Sequence, residues 1–67
     1  MWTISEIYTE MMLDRCEKKL TVKEIYSLIE KNGIKTGTAW GTNYNKVEVF
    51  LGFCISDEDC FKLFGLK

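Results

Sequence analysis

Hydrophobic residues recur at intervals of three and four near the start of the chain, behind a helix-start signal. The signal is Thr3-Ile4-Ser5-Glu6, a capping box in which a hydroxyl and a carboxylate satisfy the first free backbone N–H groups. The spacing that follows is that of one face of a helix. We therefore predict an amphipathic helix over residues 4–18, with an apolar stripe formed by Ile4, Tyr8, Met11, Met12 and Cys16.

Two further helices are predicted from the same combination of cap and stripe. Thr21-Val22-Lys23-Glu24 is a second capping box, and Gly33 is a stop because glycine accepts the left-handed backbone past a helix end. These signals predict a helix over residues 22–32. Ser56, followed by three carboxylates and then by Gly65, predicts a short helix over residues 57–64.

The segment between these helices has two interpretations. Trp40, Tyr44, Val47 and Leu51 fall at helical spacing, with Thr36 as a possible cap and Gly52 as a stop, which favours a third helix within residues 36–51. Alternation from residue 46 to 53, with a turn at residues 42–45, favours a β-hairpin instead. We take the helix as the prediction and keep the hairpin as the alternative.

The predicted fold is a single domain over residues 1–67, mostly α, with a helix-turn-helix-like core. The alternative is an α+β domain with two helices, a β-hairpin in residues 36–54 and a short C-terminal helix. In the helical version the core is formed by Ile7, Tyr8, Met11, Ile25, Leu28, Ile29, Ile34, Val47, Leu51, Phe61 and Phe64.

The amino-acid composition bears on which catalytic and metal sites the chain can form. The chain has 67 residues, 46% of them hydrophobic and 28% charged, an ordinary globular balance. It has no histidine, so no Ser-His-Asp or Cys-His pair can form, and Cys16, Cys54 and Cys60 lack zinc or redox spacing. We expect no enzyme activity, no cofactor and no metal site.

The chain also lacks the signals of a membrane or secreted protein. Its longest apolar run, residues 49–55, is far shorter than the roughly 18 residues that a membrane-spanning helix needs. No basic segment followed by a long apolar stretch is visible near residue 1. We expect a cytoplasmic protein with no membrane partner.

Charge is unevenly distributed along the chain. The net charge is −1, but residues 15–47 are basic, whereas residues 1–14 and 48–67 are acidic. A basic middle between acidic ends gives a polarised surface when the lysines share one face.

Residues 20–47 carry a resemblance to a known family. Leu20-Thr21-Val22-Lys23-Glu24-Ile25-Tyr26, followed by Gly33-Ile34-Lys35-Thr36-Gly37-Thr38-Ala39-Trp40, is similar to the helix-turn-helix of winged-helix DNA-binding domains, as in ferric-uptake-type regulators. In that family a capped helix ends in Gly-Ile, a polar turn follows, and a second helix opens with threonine and an aromatic residue.

The resemblance implies a small DNA-binding regulator that inserts the second helix into the major groove, most effectively as a homodimer. Asparagine would pair with adenine, threonine would meet base edges and lysine would neutralise phosphates in duplex DNA. The implied DNA-binding residues are Lys35, Thr36, Thr38, Thr42, Asn43, Asn45 and Lys46, with Lys18, Lys19 and Lys23 reaching the flanking backbone.

A second hypothesis is a small phage- or plasmid-type inhibitor or adaptor, similar to anti-CRISPR proteins, that binds another protein without catalysis. Trp40 and Tyr44 are then the candidate interface, since tryptophan and tyrosine dominate binding hot spots. DNA binding requires the lysines on one face, whereas protein binding tolerates an aromatic or acidic patch.

Overall fold

The structure, a computed structural model, describes residues 1–66 and shows an α+β domain. The mostly α prediction is wrong, and the α+β alternative is confirmed, because the segment after the second helix forms two paired strands. In chain order the elements are β1 (Trp2–Thr3), α1 (Ile4–Met12), α2 (Val22–Lys31), β2 (Gly37–Thr42), β3 (Glu48–Ile55) and α3 (Asp57–Phe64).

All three helices start where the caps predicted. The Glu6 N–H donates to Thr3 Oγ1 at 3.2 Å, and the Thr3 N–H donates back to Glu6 Oε1 at 3.0 Å. Thr21 and Glu24 repeat the arrangement at the start of α2, and the Asp59 N–H donates to Ser56 Oγ at the start of α3. The hydrogen bonds from the Thr3 backbone and hydroxyl also lower the pKa of Glu6.

The first helix is shorter than predicted. It ends at Met12, not at residue 18, because Asp14 adopts a left-handed backbone with φ of 57°. The chain then crosses to the end of α3, where the Glu17 N–H donates to Gly65 O at 2.9 Å and Cys16 bridges to Leu66. Cys16 is buried, as the apolar stripe predicted. It lies in the segment that crosses to α3, however, and not on the helix.

The strands form an antiparallel sheet in the order β1-β3-β2. β2 and β3 are joined by a turn that Asn43 organises, since its Oδ1 accepts from the N–H groups of Asn45 and Val47. The Asn43 N–H in turn donates to Val47 O at 3.1 Å. Asparagine commonly bonds its own backbone in this way in turns.

The predicted helix within residues 36–51 is therefore wrong. The four residues of its supposed stripe, Trp40, Tyr44, Val47 and Leu51, are all exposed. Gly52 does not end a helix. It has φ of 130° beside a β-bulge, where Ala39 pairs with Gly52 and Trp40 pairs with Phe50. Strand propensity decided this segment, and the helical spacing was coincidental.

The core lies between the three helices and the base of the sheet. Predicted core residues Ile7, Met11, Ile25, Ile29 and Phe64 are buried, and Tyr8, Leu28 and Ile34 pack against them. Val47, Leu51 and Phe61 were also predicted there but are exposed, because the first two lie on the hairpin and the third on the outer side of α3. The buried cluster consists of Ile4, Ile7, Met11, Cys16, Ile25, Ile29, Ile55, Cys60, Leu63 and Phe64.

Candidate functional site

Four aromatic rings form a continuous row from α2 along the hairpin. Tyr26 meets Phe53 with ring centroids 6.4 Å apart, Phe53 meets Phe50 at 5.4 Å, and Phe50 meets Trp40 at 5.3 Å. All three contacts are edge-to-face, the arrangement that aromatic quadrupoles favour. We name this row of Tyr26, Phe53, Phe50 and Trp40 the aromatic shelf.

The β-bulge is what puts the hairpin rings on one face. Phe50 and Phe53 are three residues apart, so regular alternation would place them on opposite faces of the sheet. Leu51 is the extra residue of the bulge, since neither Trp40 nor Ala39 pairs with it. The added residue returns Phe50 to the side of Phe53, and Trp40 joins them because it pairs directly with Phe50.

The shelf continues the apolar face of the core beyond the helices. Ile55 is buried under the helices, and Phe53, two residues earlier on the same face, touches Tyr26 of α2. Farther along the hairpin the helices no longer cover the rings, and the exposed fraction of the residue reaches 48% at Phe50 and 55% at Trp40.

The exposed part of the shelf is large for so small a chain. With about 200 Å² for each ring and nearly half of it accessible, the shelf presents about 400 Å² of aromatic surface. The largest apolar patches of monomeric proteins cover about 300–600 Å² and are often functional. The shelf is therefore a candidate binding surface by size.

Two cavities open beside the Tyr26–Phe53 pair. One, of about 320 Å³, lies toward α1 and is lined by Tyr8, Thr9 and Val22 as well as the pair. The other, of about 310 Å³, lies toward the start of β2 and includes Ile34 and Glu30. Each is large enough to receive one bulky side chain, so the near end of the shelf is recessed.

The hairpin that carries the shelf is almost uncharged. Residues 37–55 contain one cation, Lys46, and one anion, Glu48, and both lie beside the turn. A surface that binds the nucleic-acid backbone needs cations to neutralise phosphates. The shelf offers aromatic surface instead.

The residues predicted to contact DNA are spread over several elements. Lys35 lies before β2 and Lys46 lies in the turn after it, so the two are separated by at least the length of the strand, about 20 Å at the usual rise. The Asn43 side chain is already committed to the turn. Lys35 and Thr36 precede β2, Thr38 and Thr42 lie in β2, Asn43, Asn45 and Lys46 form the turn, Lys18 and Lys19 lie between α1 and α2, and Lys23 lies on α2.

The two residues of the protein-interface hypothesis are separated as well. Trp40 belongs to the shelf, where its indole N–H donates to Thr38 Oγ1 at 3.1 Å. Tyr44 lies in the turn, 93% exposed, and takes no part in the ring contacts of the shelf. Phe50, Phe53 and Tyr26 were missed. The sequence signal for the two phenylalanines is Gly52 inside an apolar strand pattern, which is typical of a bulge, and it does not extend to Tyr26 on α2.

The three cysteine side chains lie inside the domain. Cys16, Cys54 and Cys60 are buried and free of disulfides, and no group of three Cys, Asp or Glu side chains in residues 1–66 could hold a metal ion. Burial raises the pKa of the Cys60 thiol to about 11, with a smaller contribution from Cys16. A thiol is a poor nucleophile in that state because the thiolate is the reactive form.

Within residues 1–66, no helix combines the length and the apolar character needed to cross a membrane. Comparison with known proteins gives no relative: no protein-family model, no curated protein and no solved structure matches this chain.

Proposed function

We propose that this chain is a small, non-enzymatic protein-binding module, an inhibitor or adaptor, that docks on its target through the aromatic shelf. The observation that carries the proposal is the row of four touching rings that leaves the core and continues, about half exposed, along the hairpin. Aromatic residues provide most of the energy in the centres of protein interfaces.

The shape of the shelf also fits this role. Its outer end, Trp40 and Phe50, projects on the hairpin, while its inner end is recessed by the cavities beside Tyr26 and Phe53. A partner can place its own side chains in the recesses and cover the outer rings. Because the shelf itself carries no charge, binding should depend little on salt, unlike association with phosphates.

The test is affinity capture from cell extract with the wild-type chain and with two shelf variants, Trp40→Thr and Phe50→Thr. Threonine preserves strand propensity, and circular dichroism verifies that each variant is folded. Tyr44→Thr is the matched control, since it removes an aromatic ring that is more exposed but lies outside the shelf. We expect a captured protein that both shelf variants lose and that the control retains.

Salt separates this proposal from DNA binding. The target should remain bound when salt is raised from about 0.1 M to about 1 M, a change that shortens the Debye length from about 10 Å to 3 Å. If the chain instead binds a DNA duplex that is released steeply as salt rises, the regulator hypothesis is favoured. The proposal fails if the shelf variants capture the same proteins as the wild type.

A further inference from the structure

The outer edge of β2 is open. Within residues 1–66, β2 has β3 on one side and no strand on the other. The Asn43 N–H points toward the β3 side, where it donates to the carbonyl of Val47 just before that strand, and backbone groups alternate sides along an antiparallel strand. The N–H and C=O groups of Thr42, Trp40 and Thr38 therefore point away from β3, along the open edge.

This edge carries none of the features that prevent strand pairing. Proteins usually protect an edge with charged side chains, proline or a bulge. The segment Gly37–Thr42 contains neither charge nor proline, and the bulge lies on the partner strand. The opposite edge of the sheet is the part of β3 that β1 does not cover. It is protected by a charged side chain, Glu48, and by the bulge at Leu51 and Gly52.

The sequence of β2 is also suited to pairing with itself. In Thr38-Ala39-Trp40-Gly41-Thr42, residues at equal distances from Trp40 are alike in size and polarity. An antiparallel pair centred on Trp40 places Thr38 opposite Thr42, Ala39 opposite Gly41, and Trp40 opposite Trp40. Threonine pairs and aromatic pairs are favourable cross-strand neighbours, and no charged residues face each other.

We propose that two copies of this chain pair through β2 about a twofold axis at Trp40, so that two three-stranded sheets join into one. The outward backbone groups of Thr38, Trp40 and Thr42 would then form about six hydrogen bonds between the copies. Such an isologous contact closes on itself and leaves no further open β2 edge. The inference does not rest on the proposed function, because the backbone groups of β2 make the hydrogen bonds and, of the shelf rings, only Trp40 would lie at the twofold axis.

The first test is the mass of the purified chain in solution, measured by sedimentation as a function of concentration. The wild type should form a dimer, and Thr42→Pro should weaken it at least tenfold, because proline removes one outward N–H. A monomer tolerates proline at such a position on an edge strand. Thr42→Val, which keeps the N–H, should dimerise like the wild type. A wild-type chain that remains monomeric at about 1 mM refutes the proposal.

The second test reads the register and needs no variant. Ala39 and Gly41 are about 6.6 Å apart along one strand, but across the proposed pair their Cα atoms would lie about 4.5 Å apart. An NMR cross-peak between their Hα protons, in a mixture of labelled and unlabelled chains, is therefore expected only for this dimer. A dimer without that cross-peak, or one that Thr42→Pro does not weaken, overturns the proposed pairing and leaves the shelf proposal unaffected.

Discussion

Two glycines in the same backbone conformation allow the cost of a steric clash to be separated from the cost of backbone strain. Gly33 follows α2 with φ of 64°, and Gly65 follows α3 with φ of 60°. A methyl group on Gly33 would meet no atom within 4 Å, whereas one on Gly65 would lie 2.9 Å from Cβ and 2.8 Å from Cδ of Glu17. The two alanine variants should therefore differ only by the clash.

The magnitudes follow from this geometry. Gly33→Ala places a side chain in the left-handed region and should cost about 1 kcal/mol. Gly65→Ala carries the same strain and also forces the backbone near Glu17 to shift, as overpacking does, at about 1–3 kcal/mol more. A domain of this length has a free energy of unfolding of about 3–10 kcal/mol, so Gly65→Ala should leave it marginal.

The assay is unfolding in urea, monitored by circular dichroism. The variant Glu17→Gly, alone and combined with Gly65→Ala, completes a double-mutant cycle. The three atoms nearest to the added methyl group all belong to the Glu17 side chain, so the double variant should recover most of the excess cost of Gly65→Ala. The same Glu17→Gly change should not alter the cost of Gly33→Ala. Equal costs for the two alanine variants, or no coupling between residues 17 and 65, would show that the contact between α3 and the segment after α1 is not tight.

Two further predictions concern the start of α2 and the buried thiols. Thr21→Ala removes the acceptor for the Glu24 N–H and should lower the free energy of unfolding by about 1 kcal/mol, whereas Thr21→Ser should preserve it, as measured by thermal unfolding. Because burial raises the pKa of Cys60 from 9.0 to about 11, its contribution to stability is intact below pH 9 and is lost as the pH rises toward 11. Urea midpoints from pH 8 to 11 should fall less steeply in Cys60→Ala than in the wild type, and identical slopes would contradict this.

Local signals in the sequence were sufficient to predict where the three helices begin. The hydroxyl–carboxylate pairs Thr3/Glu6 and Thr21/Glu24 act within four residues, and Gly33 needs only its own backbone freedom. For this reason the starts of all three helices and most of the core residues on α1 and α2 could be predicted. On α3 the prediction placed Phe61 in the core, whereas Cys60 and Leu63 are buried there and Phe61 is exposed. The early end of α1 could not, because it depends on Asp14 and on the crossing to Gly65, a contact between distant parts of the chain.

The hairpin was harder to predict than the helices because its alternation of apolar and polar positions is interrupted. The bulge at Leu51 shifts the alternation of β3 by one residue, so the apolar positions fit neither a regular strand nor a core-facing helix. The same shift hid the candidate site. A reader of the sequence who assumes regular alternation assigns Phe50 and Phe53 to opposite faces of the sheet. The shelf therefore cannot be recognised from the sequence.

The shortness of β1 has a consequence for motion. It pairs with β3 only at Cys54 and Ile55, so the rest of the hairpin is a two-stranded ribbon, which is marginally stable by itself. The backbone amide protons at the outer end of this ribbon should exchange with solvent through local opening. The amide protons of the core should exchange only when the whole domain unfolds. The end of the ribbon can therefore adjust its twist to a binding partner without disturbing the packed helices.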